Sequence, residues 1–443
     1  MSFTVGGSTP QLTFADATVQ NTAALPLTGG SVSADITVNG LTVGRGAGSV
    51  STNTAVGASA LAANTTGASN TALGYLAAST NTTTGAITAI GANAGRLVSN
   101  GNTNAFGETF VGYNAGQAQT TGIDNTFIGA ASGFATTTGG ANVAVGAAAL
   151  RNNTTASNNT AVGYQALYSN TIGDQLNALG YQALNSNTTG VRNDAFGAYS
   201  LNQNTTGSYN CAFGRAALIS NSTSSGNAGF GYQAGYSATG TGNTLIGMQS
   251  AQALTTGSYN TMLGWYTGNG SVNTTTGSYN ILIGAGANTN ASADSNSITI
   301  GNNNSTGGTT GKGSNTGFIN PNGGGVYQGN NSTSWSITSD QRLKKNIVDN
   351  TVGLTAINGI KVRNFEYRLP EEITDLDKSN AVNITGTQLG PIAQELQQVL
   401  PDCVKTESTG VMSVDSSDVL WHLVTAVQQL SAQVTALQAK VGV

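Results

Sequence analysis

Charge is scarce in this sequence. Only 8% of the 443 residues are Asp, Glu, Lys or Arg, against about 25% in a typical globular domain. The net charge of −4 is too weak and too scattered to steer nucleic acid or a membrane surface. Histidine occurs once, as His422, which excludes His-based triads and most His-built metal sites. No metal or cofactor is expected. Cysteine occurs twice, as Cys211 and Cys403, in segments of very different composition. Both read as free thiols without a disulfide framework. There is no run of 18 apolar residues to make a membrane helix. The opening MSFTVGGSTPQ has no basic stretch followed by an apolar one, so no secretory leader is expected. The chain is expected to be made in a cytoplasm and to leave by another route, such as lysis.

Apolar residues are not scarce. They make up 38% of the chain, too many for a solvated disordered polymer. A chain with this little charge must tie its backbone into regular hydrogen bonding. Charge is also unevenly spread: 13 charged side chains fall in residues 1–338 and 21 in residues 339–443. Two physical regimes meet near Ser339.

The first regime repeats itself. Glycines recur at 57, 74, 91, 112, 129, 146, 163, 180, 197, 214, 231, 247, 264, 284 and 301. Eleven of the fourteen intervals are 17 residues; the others are 21, 16 and 20. The consensus is N-T-A-Φ-G-Y-Q-A-L-x-x-N-T-T-G-x-x, with Φ always apolar and the residue before it mostly Ala. A short fixed period predicts a solenoid. Adjacent strand residues face opposite ways, so the Ala row suits a cramped coil interior. The bulky Φ row then faces neighbouring copies, or the two rows exchange roles. Most coils carry Asn four before the glycine, either as a stacked side-chain ladder or as a turn marker. Fifteen coils at about 4.8 Å each give a rod of roughly 70 Å. So slender a coil calls for an obligate oligomer. The repeat resembles the β-roll heads of trimeric autotransporter adhesins, although their repeat is shorter.

Residues 1–40 stand outside the repeat, and Ser31–Val50 alternates like a strand pair leading into the first coil. That lead-in resembles those of phage fibre proteins, which implies docking of the N-terminus to other virion tail or baseplate proteins. Residues 302–338 are rich in Gly, Asn, Ser and Thr. Their aromatics Phe318, Tyr327 and Trp335 either contact a receptor at a distal tip or plug a small stem core, the second being favoured.

Past Ser339 come SDQRLKKNI (Ser339–Ile347), VRNFEYR (Val362–Arg368), LGPIAQELQQVLPDCV (Leu389–Val404) and GVMSVDSSDVLWHLVTAVQQL (Gly410–Leu430). Four elements in this order resemble the endosialidase-type intramolecular chaperone, a self-cleaving serine peptidase family of phage fibres and tailspikes. Ser416 stands where many members carry an aromatic. The resemblance implies a homotrimer in which Ser339 is the nucleophile and Lys344 its partner, with cleavage between Thr338 and Ser339. A serine hydroxyl needs a base, and Lys serves only when burial lowers its pKa from about 10.4. Lys345 is the fallback. Five residues apart lie on one face of neither a helix nor a strand, so a turn or a second chain must join the pair. Otherwise Ser339 or Asp340 merely caps a helix starting near Gln341.

Leu420, Leu423, Val427, Leu430, Val434, Leu437 and Val441 alternate three and four apart, a coiled-coil seam. Val at a with Leu at d leans toward a dimer, whereas the family is trimeric; a trimer is expected. His422 beside the seam is expected to pack or face solvent, and Leu389–Val399 to form a second helix ended by Pro401.

The expected whole is mainly β: a trimeric 17-residue-coil β-solenoid shaft over residues 41–301, a stem or tip over 302–338, and a small α+β chaperone domain over 339–443. The expected role is a virion fibre that meets a host surface glycan or protein receptor. A polysaccharide-degrading tailspike is the alternative. Glycoside hydrolysis needs two carboxylates, and the repeats offer Glu108, Asp124, Asp174, Asp194 and Asp294. An ice-binding face is disfavoured, because the N-T-T-G threonines read as turns in drifting register.

Overall fold

The computed structural model describes Leu12–Thr13, Val19–Gln20 and residues 35–39, 41–99, 107–270, 273–301, 309–320, 326–328, 336–337, 339–382, 384–407 and 409–442. The chain divides into two compact units, Met1–Thr338 and Ser339–Val443.

The first unit is a β-solenoid. Each of the fifteen repeat glycines ends or directly follows a short strand, from Thr54–Val56 to Ile298–Gly301. Every strand pairs in parallel with the same strand one coil on. Ala161 lies opposite Ala178, Ala178 opposite Ala195 and Ala195 opposite Ala212. Outside the strands the backbone still bonds coil to coil, as in Leu150 N–H to Ala166 O and Thr154 N–H to Thr171 O. The period of the sequence is thus the hydrogen-bond register.

The Ala row fills the interior, as the narrow face implied. Ala55, Ala144, Ala161, Ala195 and Ala212 are fully buried, with Leu150, Leu167, Leu184, Leu201 and Leu218 from four residues after the glycine. The Φ row points out of the coil. Leu73, Ile128, Leu179, Phe213, Ile246 and Leu263 are exposed, and Phe196, Phe213 and Phe230 stack at 4.4 and 5.1 Å.

Asparagine forms a ladder rather than only marking a turn. Asn210 Oδ1 accepts the N–H of Asn227 at 3.0 Å, and its Nδ2 donates to Ser224 O at 2.9 Å. The same pattern runs through Asn142, Asn243 and Asn260. A second ladder, Asn153, Asn170, Asn187 and Asn204, comes from the N of N-T-T-G. The threonines beside it do not drift. Thr137, Thr154, Thr171 and Thr188 stand 17 apart, and each Oγ1 donates to a carbonyl one coil on. Those hydroxyls are committed to the protein, which is the better argument against an ice-binding face.

The glycine requirement is steric. At the first fourteen repeat glycines φ lies between +120° and +142°, a region that glycine alone enters at low cost. A Cβ on Gly180 would stand 2.6 Å from the carbonyl carbon of Gly197.

The stack has antiparallel ends. Ile36–Val38 and Leu41–Gly44 form the expected lead-in hairpin, set antiparallel on Thr54–Val56. Asp35 fixes it by accepting the N–H groups of Arg45 and Gly46 at 2.7 and 3.0 Å. At the other end the parallel ladder runs past 301, because Gly317–Asn320 pairs with Ile298–Gly301. Val326–Gln328 and Ser336–Ile337 then add antiparallel strands. Most of the expected docking segment, residues 1–40, lies outside the described residues.

The second unit is small and open. Its strands pair as Arg363–Phe365 with Gln388–Gly390 and Val404–Thr406 with Met412–Val414. The expected helix over 389–399 is shorter: Leu389 lies in a strand, Pro391 breaks the run, and the helix spans Ala393–Gln397. The long helix Ser416–Val441 is capped by Asp415, which accepts the Ser417 N–H, and by left-handed Gly442. Gln429 of that helix accepts the Leu354 N–H at 2.7 Å and donates to Thr351 O at 2.9 Å. Among the described residues of this unit, only five side chains are buried: Leu396, Leu400, Cys403, His422 and Ala426.

Candidate functional site

The site begins with a local turn. Residues Gln341–Leu343 form one 3₁₀ turn capped by Asp340, whose Oδ1 accepts the Arg342 N–H at 2.8 Å. Arg342 returns a two-pronged contact to the same carboxylate, with Nη2 at 2.6 Å from Oδ2. The guanidinium bonds hold Asp340 below the usual carboxylate range. Asp340 is therefore committed to Arg342. Among the described residues, no carboxylate pairs with Lys344.

The turn carries Lys344 back to Ser339. Lys344 Nζ donates to Ser339 Oγ at 2.8 Å. One chain brings the pair together, and the capping role falls to Asp340 instead of Ser339. Both members are exposed. The burial that a lysine base requires is not supplied by this unit alone. Lys345 is exposed as well, and Thr338 lies outside the described residues.

The seam residues Leu420, Leu423, Val427, Leu430, Val434, Leu437 and Val441 are between 44% and 72% exposed. They form an exposed apolar stripe. His422 packs inward: its Nδ1 lies 2.8 Å from Val352 O and 3.1 Å from Asn350 Nδ2. Nε2 lies 3.9 Å from Asp402. Arg363 holds Glu395 in a two-pronged ion pair at 2.8 and 3.1 Å, tying a strand to the short helix. Cys211 and Cys403 are free thiols, and burial pushes both thiol pKa values up.

The remaining candidates scatter. Phe318 is buried beneath Lys312, whose Nζ lies 4.7 Å from the ring centroid; it plugs the core and offers no face to a receptor. Tyr327 has its backbone in a strand, and Trp335 lies outside the described residues. Asp124 lies close enough to Glu108 for its charge to act on it; among the described residues the other carboxylates build no pair around a groove. Asp174 accepts the Ser157 N–H, Asp194 an amide of Asn177, and Asp294 the Ala291 N–H. Among the described residues no cluster of three or more His, Cys, Asp or Glu could hold a metal.

Glu108 takes a place that sequence reading missed. It occupies the rung held by Asn in most coils and is fully buried. Its Oε2 accepts the Asn125 N–H, and Oε1 has no partner among the described residues. Burial, and secondarily the charge of Asp124, raise its pKa to about 7. The signal was its position four before Gly112, in line with the asparagines.

No solved structure matches the chain. Among curated proteins, Myelin regulatory factor homolog 1 of Caenorhabditis elegans is 34% identical over 106 residues. That is 23% of this chain and only 11% of the relative. Residues 339–405, beginning at the serine that meets Lys344, match the family model described as chaperone of endosialidase.

Proposed function

We propose that the chain is a trimeric phage tail fibre or tailspike subunit that attaches the virion to a host cell. Its chaperone domain aligns three copies and then severs itself between Thr338 and Ser339. The observation that carries this reading is the 2.8 Å contact of Lys344 Nζ with Ser339 Oγ at the first residue of the chaperone match. That residue is also the boundary between the two compact units.

The chemistry is a single turnover. With Lys344 neutral, its amine takes the Ser339 hydroxyl proton. The alkoxide adds to the Thr338 carbonyl carbon, the C–N bond breaks, and the proton passes to the leaving nitrogen. Water then hydrolyses the ester. Lys344 is exposed in one chain, so its desolvation must come from neighbouring copies. Cleavage then follows assembly.

Two apolar surfaces support the trimer: the exposed Φ row of the solenoid and the seam of the last helix. A unit of 105 residues with five buried side chains among those described has too little core of its own. The N-terminal segment would dock to other tail or baseplate proteins. The protein would occupy the host cytoplasm during assembly and the virion afterwards. A degrading tailspike is the weaker reading, since Glu108, the neighbour of Asp124, is sealed in the solenoid and Asp174, Asp194 and Asp294 are each tied to a separate group.

Native mass spectrometry of the wild type and of Ser339→Ala tests the reading. The wild type is expected as a trimer of 1–338 fragments plus released 339–443, and the variant as an uncut trimer. A wild type without a new terminus at Ser339 removes the cutting step. A monomeric full-length chain removes the fibre.

A further inference from the structure

We infer that the lateral groove between Tyr236 and Tyr266 binds a neutral sugar chain. The groove encloses about 350 Å³ and is lined by Tyr236, Ser237, Gln252, Tyr266, Asn269 and Asn273 among others. It arises where the repeat lengthens: the interval from Gly264 to Gly284 is 20 residues, and Asn269 pairs with Asn273 in an isolated antiparallel bridge.

The polar groups of this groove are locked before any ligand arrives. Gln252 Nε2 donates to Gln233 Oε1 at 3.0 Å, and Asn269 Nδ2 donates to Gln252 Oε1 at 3.1 Å. Asn269 Oδ1 accepts the Ala253 N–H at 3.1 Å. Each amide thus has a fixed orientation; Asn269 spends its other N–H on Gln249 O at 3.4 Å, while Gln252 still owns a second N–H. Neither tyrosine hydroxyl makes a hydrogen bond to protein among the described residues. Preorganised amides lose little freedom on binding.

The lining residues carry no charge, so the groove offers no counter-charge to a phosphate, an acidic sugar or a cation. Two half-buried tyrosine rings beside amides and a hydroxyl suit a ligand with both apolar CH faces and many hydroxyls. Neutral hexoses have that pattern. The groove is also compatible with assembly. Tyr236, Gln252 and Asn269 lie five residues after a repeat glycine, whereas the apolar ridge lies one before it. The inference deepens the attachment reading and rests on it for the source of the sugar, not for the binding itself.

The test is titration of the full-length protein with maltohexaose, cellohexaose, mannohexaose and chitohexaose, read by saturation-transfer NMR and calorimetry. At least one is expected to bind with Kd of about 1 mM or tighter. Tyr236→Ala and Tyr266→Ala are each expected to weaken it at least tenfold. Tyr75→Ala, at an exposed tyrosine in another coil, should leave it unchanged. Should Tyr266→Ala misfold, Ser237→Trp fills the groove from its rim and should abolish binding. No binding by any of the four sugars overturns the proposal, as does binding that survives both Tyr236→Ala and Ser237→Trp. Labelled protein that coats bacteria but binds no sugar removes the groove and keeps the attachment reading. Sugar binding without coating of cells does the reverse.

Discussion

Glu108 accepts the Asn125 backbone N–H through Oε2 at 3.1 Å, a bond that other coils make with an asparagine amide oxygen. A carboxyl thereby replaces an amide inside a dry ladder. Its pKa rises from 4.5 to about 7, so the folded chain holds this proton more tightly than the unfolded chain. The stability is fully present below pH 4.5 and is lost as pH rises through 7. By linkage the difference is roughly 3 kcal/mol. Glu108→Gln is expected to raise the unfolding temperature at pH 8 and to leave it unchanged near pH 4. A variant that melts lower at pH 8 would show that the carboxylate is wanted.

Asn210 makes three side-chain bonds: from Asn227 N–H, to Asn193 Oδ1 and to Ser224 O. Asn210→Ala strands the buried Asn227 N–H on the next coil, whereas Asn193 Oδ1 keeps the Asn210 backbone N–H and Ser224 O keeps Asn221 Nδ2. A buried orphan of this kind costs about 1–3 kcal/mol, and a loss in that range is expected in urea melts. Leu176 occupies the same rung naturally and is buried. There the Leu176 N–H still reaches Asn159 Oδ1, yet its side chain cannot serve Asn193. Leu176→Asn is the reciprocal trial, and a rise in stability is the expected result.

Gly180→Ala sets a Cβ 2.6 Å from the Gly197 carbonyl carbon at φ +142°. No side chain can swing away, so the coil must deform. A loss beyond about 3 kcal/mol is expected. Ala141 offers the contrast, being exposed at φ +54°. That left-handed residue costs about 1–2 kcal/mol, so Ala141→Gly should leave the melting temperature unchanged or raise it. Hydrogen exchange around Gly197 and Ile123 would localise both effects.

Lys344→Gln keeps a donor for Ser339 Oγ but no base. The expected result is a folded, uncut trimer, and Lys345→Gln should cut normally. Mass spectra after overnight incubation decide. If the Lys345 variant stalls and the Lys344 variant does not, the base has been assigned to the wrong lysine.

Much of this architecture was legible because the 17-residue period is itself the hydrogen-bond register. Strand alternation sets the Ala and Φ rows on opposite faces, and the small size of Ala favours it for the interior, but only the observed burial excludes the exchange of roles. The second ladder and the threonine register were missed, since N-T-T-G reads locally as a turn. It is a turn, and stacking turns also builds a ladder. The helix over 389–399 was overextended for a comparable reason: Leu389, Ile392 and Leu396 have helical spacing, but Pro391 and the pairing with Arg363–Phe365 claim the first residues. Spacing alone could not place Lys344 against Ser339. The cap from Asp340 tightens the turn, and a cap is a single bond without a periodic signature.

The register also makes length a countable property. Each coil bonds only to the coil before and the coil after it, apart from the hairpin at one end and the antiparallel strands at the other. One coil can be removed or duplicated at its glycine with every remaining rung still paired. The shaft is in effect a ruler with graduations of 17 residues. A lineage could set the length of such a solenoid by unequal recombination among near-identical coils, without redesigning either end.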